Sequence, residues 1–200
     1  LVLNATYEPL CVVADRRAMV LVLARKADAV EESRRVMRSE HLIEPLPAVL
    51  TMRERALGWR GLEDGLTGGP VLRFYASAET HSSVDKAIRV AGIGQRNLVK
   101  VATDSDRAMT GDALRAAIAA DRAAGMQPAG VILCAGGTSV GAFDRIGDCV
   151  AVAKAEGLPV HVDAAWAGSA MICPEFRALW AGIEGADSIV FNPHKWLGAQ

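Results

Sequence analysis

Two short apolar runs near the end of the sequence, 158–162 and 188–191, constrain the fold more than any other feature. Both contain β-branched residues, and each leads into polar residues that can do chemistry: Asp163 follows the first run, and NPHKWL with Lys195 follows the second. Such runs are typical of strands buried in a parallel sheet with both faces covered. Ligands bind at the carboxyl ends of strands in these sheets. Asp163 and Lys195 are therefore expected to meet over one crevice.

Strand-like and helix-like segments alternate along most of the chain. Further strands are expected at 72–76, 98–102 and 130–134, and helices at 84–91, 110–124 and 145–156. Thr110 and Asp144 are candidate N-caps of the second and third helices, and a glycine directly follows each of those two helices. This succession of βαβ units predicts an α/β fold with a mostly parallel sheet.

The charge balance and the cysteines limit the classes of partner and location. The 200 residues carry 22 Lys and Arg and 23 Asp and Glu, for a net charge of −1. This balance gives no electrostatic reason to expect a nucleic acid or an anionic membrane as partner. The longest early apolar run, 18–24, is too short to span a bilayer and lacks the layout of a secretion signal. The four cysteines form no CxxC pair, which favours reduced thiols in a cytoplasmic protein.

A lysine and an aspartate at one crevice have two interpretations. A bare pair of this kind is most often a structural salt bridge. The alternative is catalytic, because a lysine amine holds an aldehyde cofactor as a Schiff base while a carboxylate stabilises the protonated nitrogen of the cofactor ring. The residues around Asp163 and Lys195 favour the second interpretation.

The strings HVDAAWAGSAMICPEFR and NPHKWL closely resemble the group II pyridoxal-phosphate-dependent decarboxylases, the family of aromatic-L-amino-acid, glutamate and histidine decarboxylases. The resemblance implies part of a large domain of the fold-type-I (aspartate aminotransferase-like) class, an L-amino-acid substrate and a homodimer. It also implies that Lys195 carries the cofactor, that Asp163 pairs with the pyridine nitrogen and that His194 lies beside the cofactor. By the same resemblance, Ala165 and Asn192 join the cofactor-binding residues.

Two further strings extend the resemblance toward residue 52. In ETHSSVDKA, the resemblance implies that His81 stacks on the pyridine ring, and in AGGTSVGAFD it implies that Thr138 reaches the cofactor. Taken alone, a histidine at a helix start is more often a capping or surface residue. The catalytic residues implied by the resemblance are thus His81, Asp163 and Lys195.

The first fifty residues have a different character. LNATYEPL and the following RRAMVLVL pattern resemble the segment that precedes the catalytic motif of some HNH-family endonucleases. We expect two short strands around a turn at 7–9, a helix at 15–26, and a loop or linker in the Pro-containing stretch EPLPAVL. The HNH motif itself is missing, since His41 has no second histidine close by, and a metal-dependent nuclease is not supported.

The leading expectation is decarboxylation of an L-amino acid by a protein divided into a small α+β segment at 1–51 and a decarboxylase-like part at 52–200. Aminotransferase or other lyase chemistry is the alternative within the fold class, although His194 before Lys195 favours a decarboxylase. The first fifty residues suggest a DNA-associated protein as a separate alternative. Both ends of the sequence look cut, and in the family the stretch that grips the cofactor phosphate lies just upstream of residue 52. We therefore expect weak cofactor retention and little or no activity.

Overall fold

The computed structural model describes residues 2–3, 9–11, 46–58, 61 and 63–198. The chain divides into two compact units, Leu1–Leu42 and Ile43–Gln200. Among the described residues, no helix combines the length and the apolar character that crossing a membrane requires.

The first unit contains one small antiparallel pair of strands. Strand β1 (Val2–Leu3) pairs with strand β2 (Pro9–Cys11), which confirms the two short strands expected there. The helix expected at 15–26 and the side chain of His41 lie outside the described residues.

The second unit is built on a sheet of five parallel strands, with helices in the connections. The strands are β3 (Leu72–Ser77), β4 (Leu98–Val101), β5 (Gln127–Cys134), β6 (Val160–Ala164) and β7 (Ser188–Phe191). The α-helices are α1 (Leu46–Leu57), α2 (Ser82–Val90), α3 (Gly111–Ala123), α4 (Ile146–Ala155) and α5 (Pro193–Trp196). Short 3-10 helices occupy Gln95–Asn97, Gly168–Ile172, Pro174–Trp180 and Ile183–Gly185. The strand order is β4-β3-β5-β6-β7, with every pair parallel, which confirms the α/β class.

Helices cover the central strands on both faces, because alternate residues of those strands point to opposite sides. On one face, apolar side chains of α3 and α4 pack on the sheet; this cluster includes Tyr75, Leu114, Ile118, Val131, Leu133, Cys149, Val160 and Val162. On the other face, α1 and α2 supply the cover; this cluster includes Val49, Met52, Phe74, Ala76, Val84, Ile88 and Ile132. Each fully buried aliphatic side chain stabilises the fold by roughly 1.5–3 kcal/mol. Strands β3 and β5 contribute to both clusters and are thus fixed from both sides, whereas the apolar residues of β6 belong to the first cluster.

The interpretation of EPLPAVL as a loop or linker is wrong. Five of its seven residues are in α1, which begins at Leu46 and continues to Leu57. Pro47 is the second residue of that helix, and a proline in the first turn removes an N–H that would have no intrahelical partner. Val49 and Met52 are buried against the sheet, so tertiary packing holds the segment in the helix. The division predicted between residues 51 and 52 falls inside α1.

Asp144 does not cap the helix that follows it. Helix α4 begins at Ile146, and Arg145 occupies the N-cap position without a capping side-chain bond. The Asp144 carboxylate instead accepts hydrogen bonds from the backbone N–H groups of Met109 (2.8 Å) and Cys134 (2.7 Å). The cap predicted at Thr110 is confirmed, since its hydroxyl accepts from the N–H of Ala113 at 3.2 Å.

Strand β7 has the expected bounds but not the expected burial. Its residues Ile189 and Phe191 are 45% and 38% exposed. The physical reason is its position at the edge of the sheet, where it has β6 on one side only. The strand expected at 158–162 also differs, because β6 begins at Val160 and includes Asp163.

Candidate active site

Four sequence-predicted residues lie at or beyond the carboxyl ends of four neighbouring strands. His81 comes four residues after β3, Thr138 four residues after β5, and Lys195 four residues after β7, while Asp163 is the penultimate residue of β6. Because these strands are parallel, their carboxyl ends share one edge of the sheet. Three strand spacings of about 4.8 Å put β3 and β7 about 14 Å apart, with β5 and β6 between them. The structure therefore brings all four residues to one edge.

Asp163 is the most enclosed of these residues. It is aligned with Cys134 of β5 on one side and with Val190 of β7 on the other, and only 8% of it is exposed. Its Oδ1 accepts a hydrogen bond from the N–H of Ala165 at 3.2 Å. Ala165 is buried as well, so the carboxylate position is set by strand pairing and by the first turn after β6.

The carboxyl edge has a negative electrostatic character near β5. Burial raises the pKa of the Cys134 thiol, and the carboxylates of Asp144, Asp163 and Glu79 raise it further. A cationic group at this edge is therefore stabilised by its surroundings. A protonated ring nitrogen next to Asp163 is a group of that kind.

Lys195 lies in the short helix α5. Pro193 starts this helix, where its fixed φ suits the first helical position, and the Lys195 N–H donates to the Asn192 carbonyl at 3.1 Å. Asn192 is buried, whereas His194 and Lys195 are exposed. The lysine amine is thus accessible to a small molecule at this edge.

His81 is the N-cap residue of α2. Its Nδ1 lies 2.8 Å from the hydroxyl of Ser83 and accepts from the Ser83 N–H at 3.3 Å. The imidazole is exposed, and no sequence pattern singled out Ser83 as its partner. Thr138 is exposed as well, in the turn that follows β5.

Close contacts join the loops that carry these residues. The Cys134 sulfur lies 3.9 Å from the Glu79 carbonyl oxygen, a contact that connects the ends of β5 and β3. A side chain at Gly136, where φ is +82°, would collide with Ala167, so glycine lets the loops after β5 and β6 touch. The Trp166 and Trp196 rings meet edge to face at a centroid distance of 5.7 Å, which connects the loop after β6 to α5.

One cavity lies at the opposite edge. It has a volume of about 560 Å³ and is lined by the amino ends of β5 and β6 together with Arg55 and Arg122. Arg55 is paired with Asp187, and Arg122 is paired with Glu156. The four sequence-predicted residues lie at the other edge of the sheet. The carboxyl edge therefore remains the candidate site.

The comparison with known proteins agrees with this geometry. Residues 48–200, more than half of the chain, match the family described as the pyridoxal-dependent decarboxylase conserved domain. The chain belongs to the pyridoxal-dependent decarboxylase family. Residues 1–55 match a second family, the HNH endonuclease-associated N-terminal domain. The two matches overlap in α1, whose buried residues pack with the decarboxylase part.

Individual relatives of the family show how much of a decarboxylase this chain spans. Aromatic-L-amino-acid decarboxylase of Drosophila lebanonensis is 47% identical over 123 residues, which are 62% of this chain and 30% of the relative. The structure of mouse CSAD matches with a TM-score of 0.75 and 34% identity, covering 79% of this chain and 33% of that one. The structure of Oryza sativa TDC with PLP and tryptamine matches with a TM-score of 0.70 and 42% identity, covering 76% and 31%. The chain spans about a third of the length of these relatives.

The donor set of this decarboxylase domain fits pyridoxal phosphate. An aldehyde needs an accessible amine, and Lys195 is exposed; a pyridine nitrogen needs a carboxylate, and Asp163 is held at the neighbouring strand. An aromatic ring needs a flat partner, and the imidazole of His81 lies at the same edge. The family match supports the cofactor, while the role of each residue stays a prediction.

Proposed function

We propose that this chain carries the cofactor-binding core of an enzyme that decarboxylates an L-amino acid, with the site at the carboxyl edge of the sheet. The observation that supports it most directly is that the buried Asp163 lies in β6 and the exposed Lys195 lies just after the neighbouring strand, β7. Bound pyridoxal phosphate supplies an electron sink for the pair of electrons left when the substrate carboxylate departs as carbon dioxide.

Each residue has a distinct role in this proposal. Lys195 would hold the cofactor through its aldehyde group. Asp163 holds the proton on the ring nitrogen, and burial strengthens that ionic contact because the local dielectric is low. His81 covers one face of the ring and excludes water from it.

The remaining cofactor-binding residues act by contact. Thr138 reaches the cofactor from the turn after β5, Ala165 contacts it from the turn after β6, and Asn192 and His194 lie beside it at the start of α5. The aromatic-L-amino-acid decarboxylase relative makes aromatic L-amino acids the first substrates to test.

The lysine assignment has a direct chemical test. Purified protein is titrated with pyridoxal phosphate, the adduct is trapped by borohydride reduction, and the modified peptide is located by mass spectrometry. We expect the modification on Lys195, and its loss in Lys195→Ala. Lys86→Ala is the matched control, because Lys86 is an exposed lysine on α2 with no part in the proposal. Equal trapping in Lys195→Ala would show that the assignment is wrong.

The reaction is tested on the same protein. Because weak retention and low activity are expected, the cofactor is supplied in excess. An aromatic L-amino acid is then expected to yield its amine and carbon dioxide at a low rate, while a keto acid as main product would indicate transamination instead. Asp163→Asn is expected to lower the decarboxylation rate by about 10²–10³, the usual effect of removing one group that stabilises developing charge. An unchanged rate would remove Asp163 from the site.

We further propose a homodimer and a cytoplasmic location. Apolar side chains at the β7 edge are exposed, Ile189 and Phe191 among them, and contiguous exposed apolar surface is typical of an interface. The thiols of Cys134, Cys149 and Cys173 are free, as is usual in a reducing compartment. Light scattering at several concentrations tests the dimer, and a constant monomer mass would contradict it.

The match of residues 1–55 to an HNH-associated domain favours a second candidate function, association with DNA. Phosphate contacts weaken steeply with salt. Binding of the full chain to duplex DNA at low salt that disappears at high salt would support this function, and no binding at low salt would remove it.

A further inference from the structure

The start of α2 holds His81 in one defined arrangement. His81 is the N-cap residue, and its Nδ1 faces two groups of the same residue, the hydroxyl of Ser83 at 2.8 Å and the N–H of Ser83 at 3.3 Å. Ser83 is half-buried, whereas the imidazole is exposed. The ring is therefore attached to the helix through one nitrogen only.

This arrangement determines which ring nitrogen carries the hydrogen. A backbone N–H can only donate, so Nδ1 must present its lone pair to Ser83. The neutral imidazole then carries its hydrogen on Nε2. Since Nδ1 has no hydrogen, the Ser83 hydroxyl is the donor in the 2.8 Å bond. The opposite tautomer would bring the Nδ1 hydrogen against the N–H of Ser83.

We propose that Ser83 is a positioning residue, which fixes His81 as the Nε2–H tautomer and so makes Nε2 a hydrogen-bond donor at the carboxyl edge. A donor of this kind suits a carboxylate oxygen of an α-amino acid. The functional part of this inference rests on the proposed decarboxylase site. The tautomer itself depends only on the contacts between Ser83 and His81.

The hydroxyl and the N–H of Ser83 make separable contributions. Ser83→Ala removes the hydroxyl and keeps the N–H, and Ser83→Thr keeps both. Ser83→Pro removes the N–H as well as the hydroxyl, at a position in the first helical turn where proline is tolerated. Ser82→Ala is the matched control, because Ser82 is the neighbouring serine in the same helical turn and is exposed. Four histidines in the sequence allow the His81 signals to be assigned by comparison with His81→Asn.

The test is nitrogen NMR of the histidine rings in cofactor-free protein at about pH 8, where an ordinary imidazole is neutral. We expect the wild type, Ser82→Ala and Ser83→Thr to show Nε2 protonated and Nδ1 unprotonated at His81. Ser83→Ala keeps the N–H and is expected to keep this tautomer. In Ser83→Pro, which lacks the N–H, the tautomer ratio is expected to move toward Nδ1–H by about 5–10-fold, the value of one neutral hydrogen bond. A wild-type ring with Nδ1 protonated, or a spectrum unchanged in Ser83→Pro, would overturn the proposal.

A kinetic comparison on the cofactor-loaded protein tests the consequence. Ser83→Pro is expected to raise KM for an aromatic L-amino acid by about 5–10-fold, with no change in Ser83→Thr or Ser82→Ala. If no variant binds the cofactor, the proposed function fails and the NMR result still decides the tautomer. If the tautomer changes as expected and KM does not, the donor role of Nε2 is wrong.

Discussion

Strands β6 and β7 are neighbours in the sheet, and each presents one reactive group, but they are held very differently. All five residues of β6 are buried between β5 and β7 and under the helices, whereas three of the four residues of β7 are exposed. Asp163 belongs to the first strand, and Lys195 follows the second. The carboxylate therefore has its position fixed by core packing, and the amine has its position fixed by a few surface contacts.

The contacts that hold the Lys195 end can be named. Phe191, the last residue of β7, packs against Gly168. A Cβ added at Gly168 would lie only 2.9 Å from the Cδ2 atom of Phe191. Trp196, next to Lys195, meets Trp166 of the loop after β6. Both contacts come from residues that follow β6. The placement of Lys195 thus depends on the segment that follows β6, whereas Asp163 lies within a strand that is paired on both sides.

The largest expected effect comes from placing a charge in each strand. Val162 is fully buried in β6, and an aspartate there has no partner, so Val162→Asp is expected to lose at least about 4 kcal/mol or to unfold the domain. Ile189→Asp in β7 is expected to lose less than about 1 kcal/mol, because that side chain already contacts water. Urea denaturation followed by circular dichroism measures both.

Val162→Ile serves as the control for the buried site, since it adds volume without charge. Equal losses for the two aspartate variants would mean that β7 is covered in solution, as it would be in a dimer. Repeating the measurement at several protein concentrations separates that case, because dimer stability rises with concentration.

A second contrast, between a buried and a more exposed carboxylate, concerns Asp144 and Asp187. Their contributions to stability are expected to have opposite pH dependence. Burial raises the pKa of Asp144 to about 6 even though Cys134 and Met109 donate to it. For Asp187, just before β7, burial also disfavours the charge, but the Val160 N–H and Arg55 outweigh it and lower the pKa. A raised pKa means that the Asp144 contribution to stability is present below about pH 4 and is lost as pH rises through about 6.

For Asp187, the stability contribution is present above about pH 4 and is lost only as pH falls through its lowered pKa. We expect the wild type to lose about 2–3 kcal/mol relative to Asp144→Asn between pH 4 and pH 8. Asp187→Asn, the control, should differ from the wild type by a constant amount over that range. Urea midpoints at five pH values check both, and a rising advantage of the wild type over Asp144→Asn would show that the sign is wrong.

Local sequence patterns predicted most strands and helices. They failed where groups distant in the sequence determine burial or hydrogen bonding. The bounds of β7 follow from a compact apolar run, yet that run does not tell how many strands lie beside it. Asp144 stands before a helix as a cap would, but N–H groups 10 and 35 residues away in the chain bind its carboxylate instead. Pro47 signals a break, although the first turn of α1 tolerates it.

The candidate site could be predicted only from the sequence strings that surround its residues. Lys195 and Asp163 alone do not distinguish a salt bridge from a cofactor site, whereas the strings that surround them identified the family, and the family match confirms that. Ser83 was missed because no sequence pattern marks a serine two residues after a histidine as the hydrogen-bond partner of its ring.

The smallest expected effect concerns the ring contact that supports Lys195. Trp166 and Trp196 meet edge to face, at 5.7 Å and 79°, and both are nearly half exposed. Phe143 and Trp180 form the matched buried pair, at 5.4 Å and 89°, with Trp180 only 3% exposed. Double-mutant cycles with leucine substitutions isolate each coupling energy from the loss of burial. We expect about 1–1.5 kcal/mol for the buried pair and about 0.5 kcal/mol for the exposed pair. A coupling of the exposed pair as large as that of the buried pair would show that α5 is held as firmly as the core, and the difference between the two strands would then not extend to Lys195.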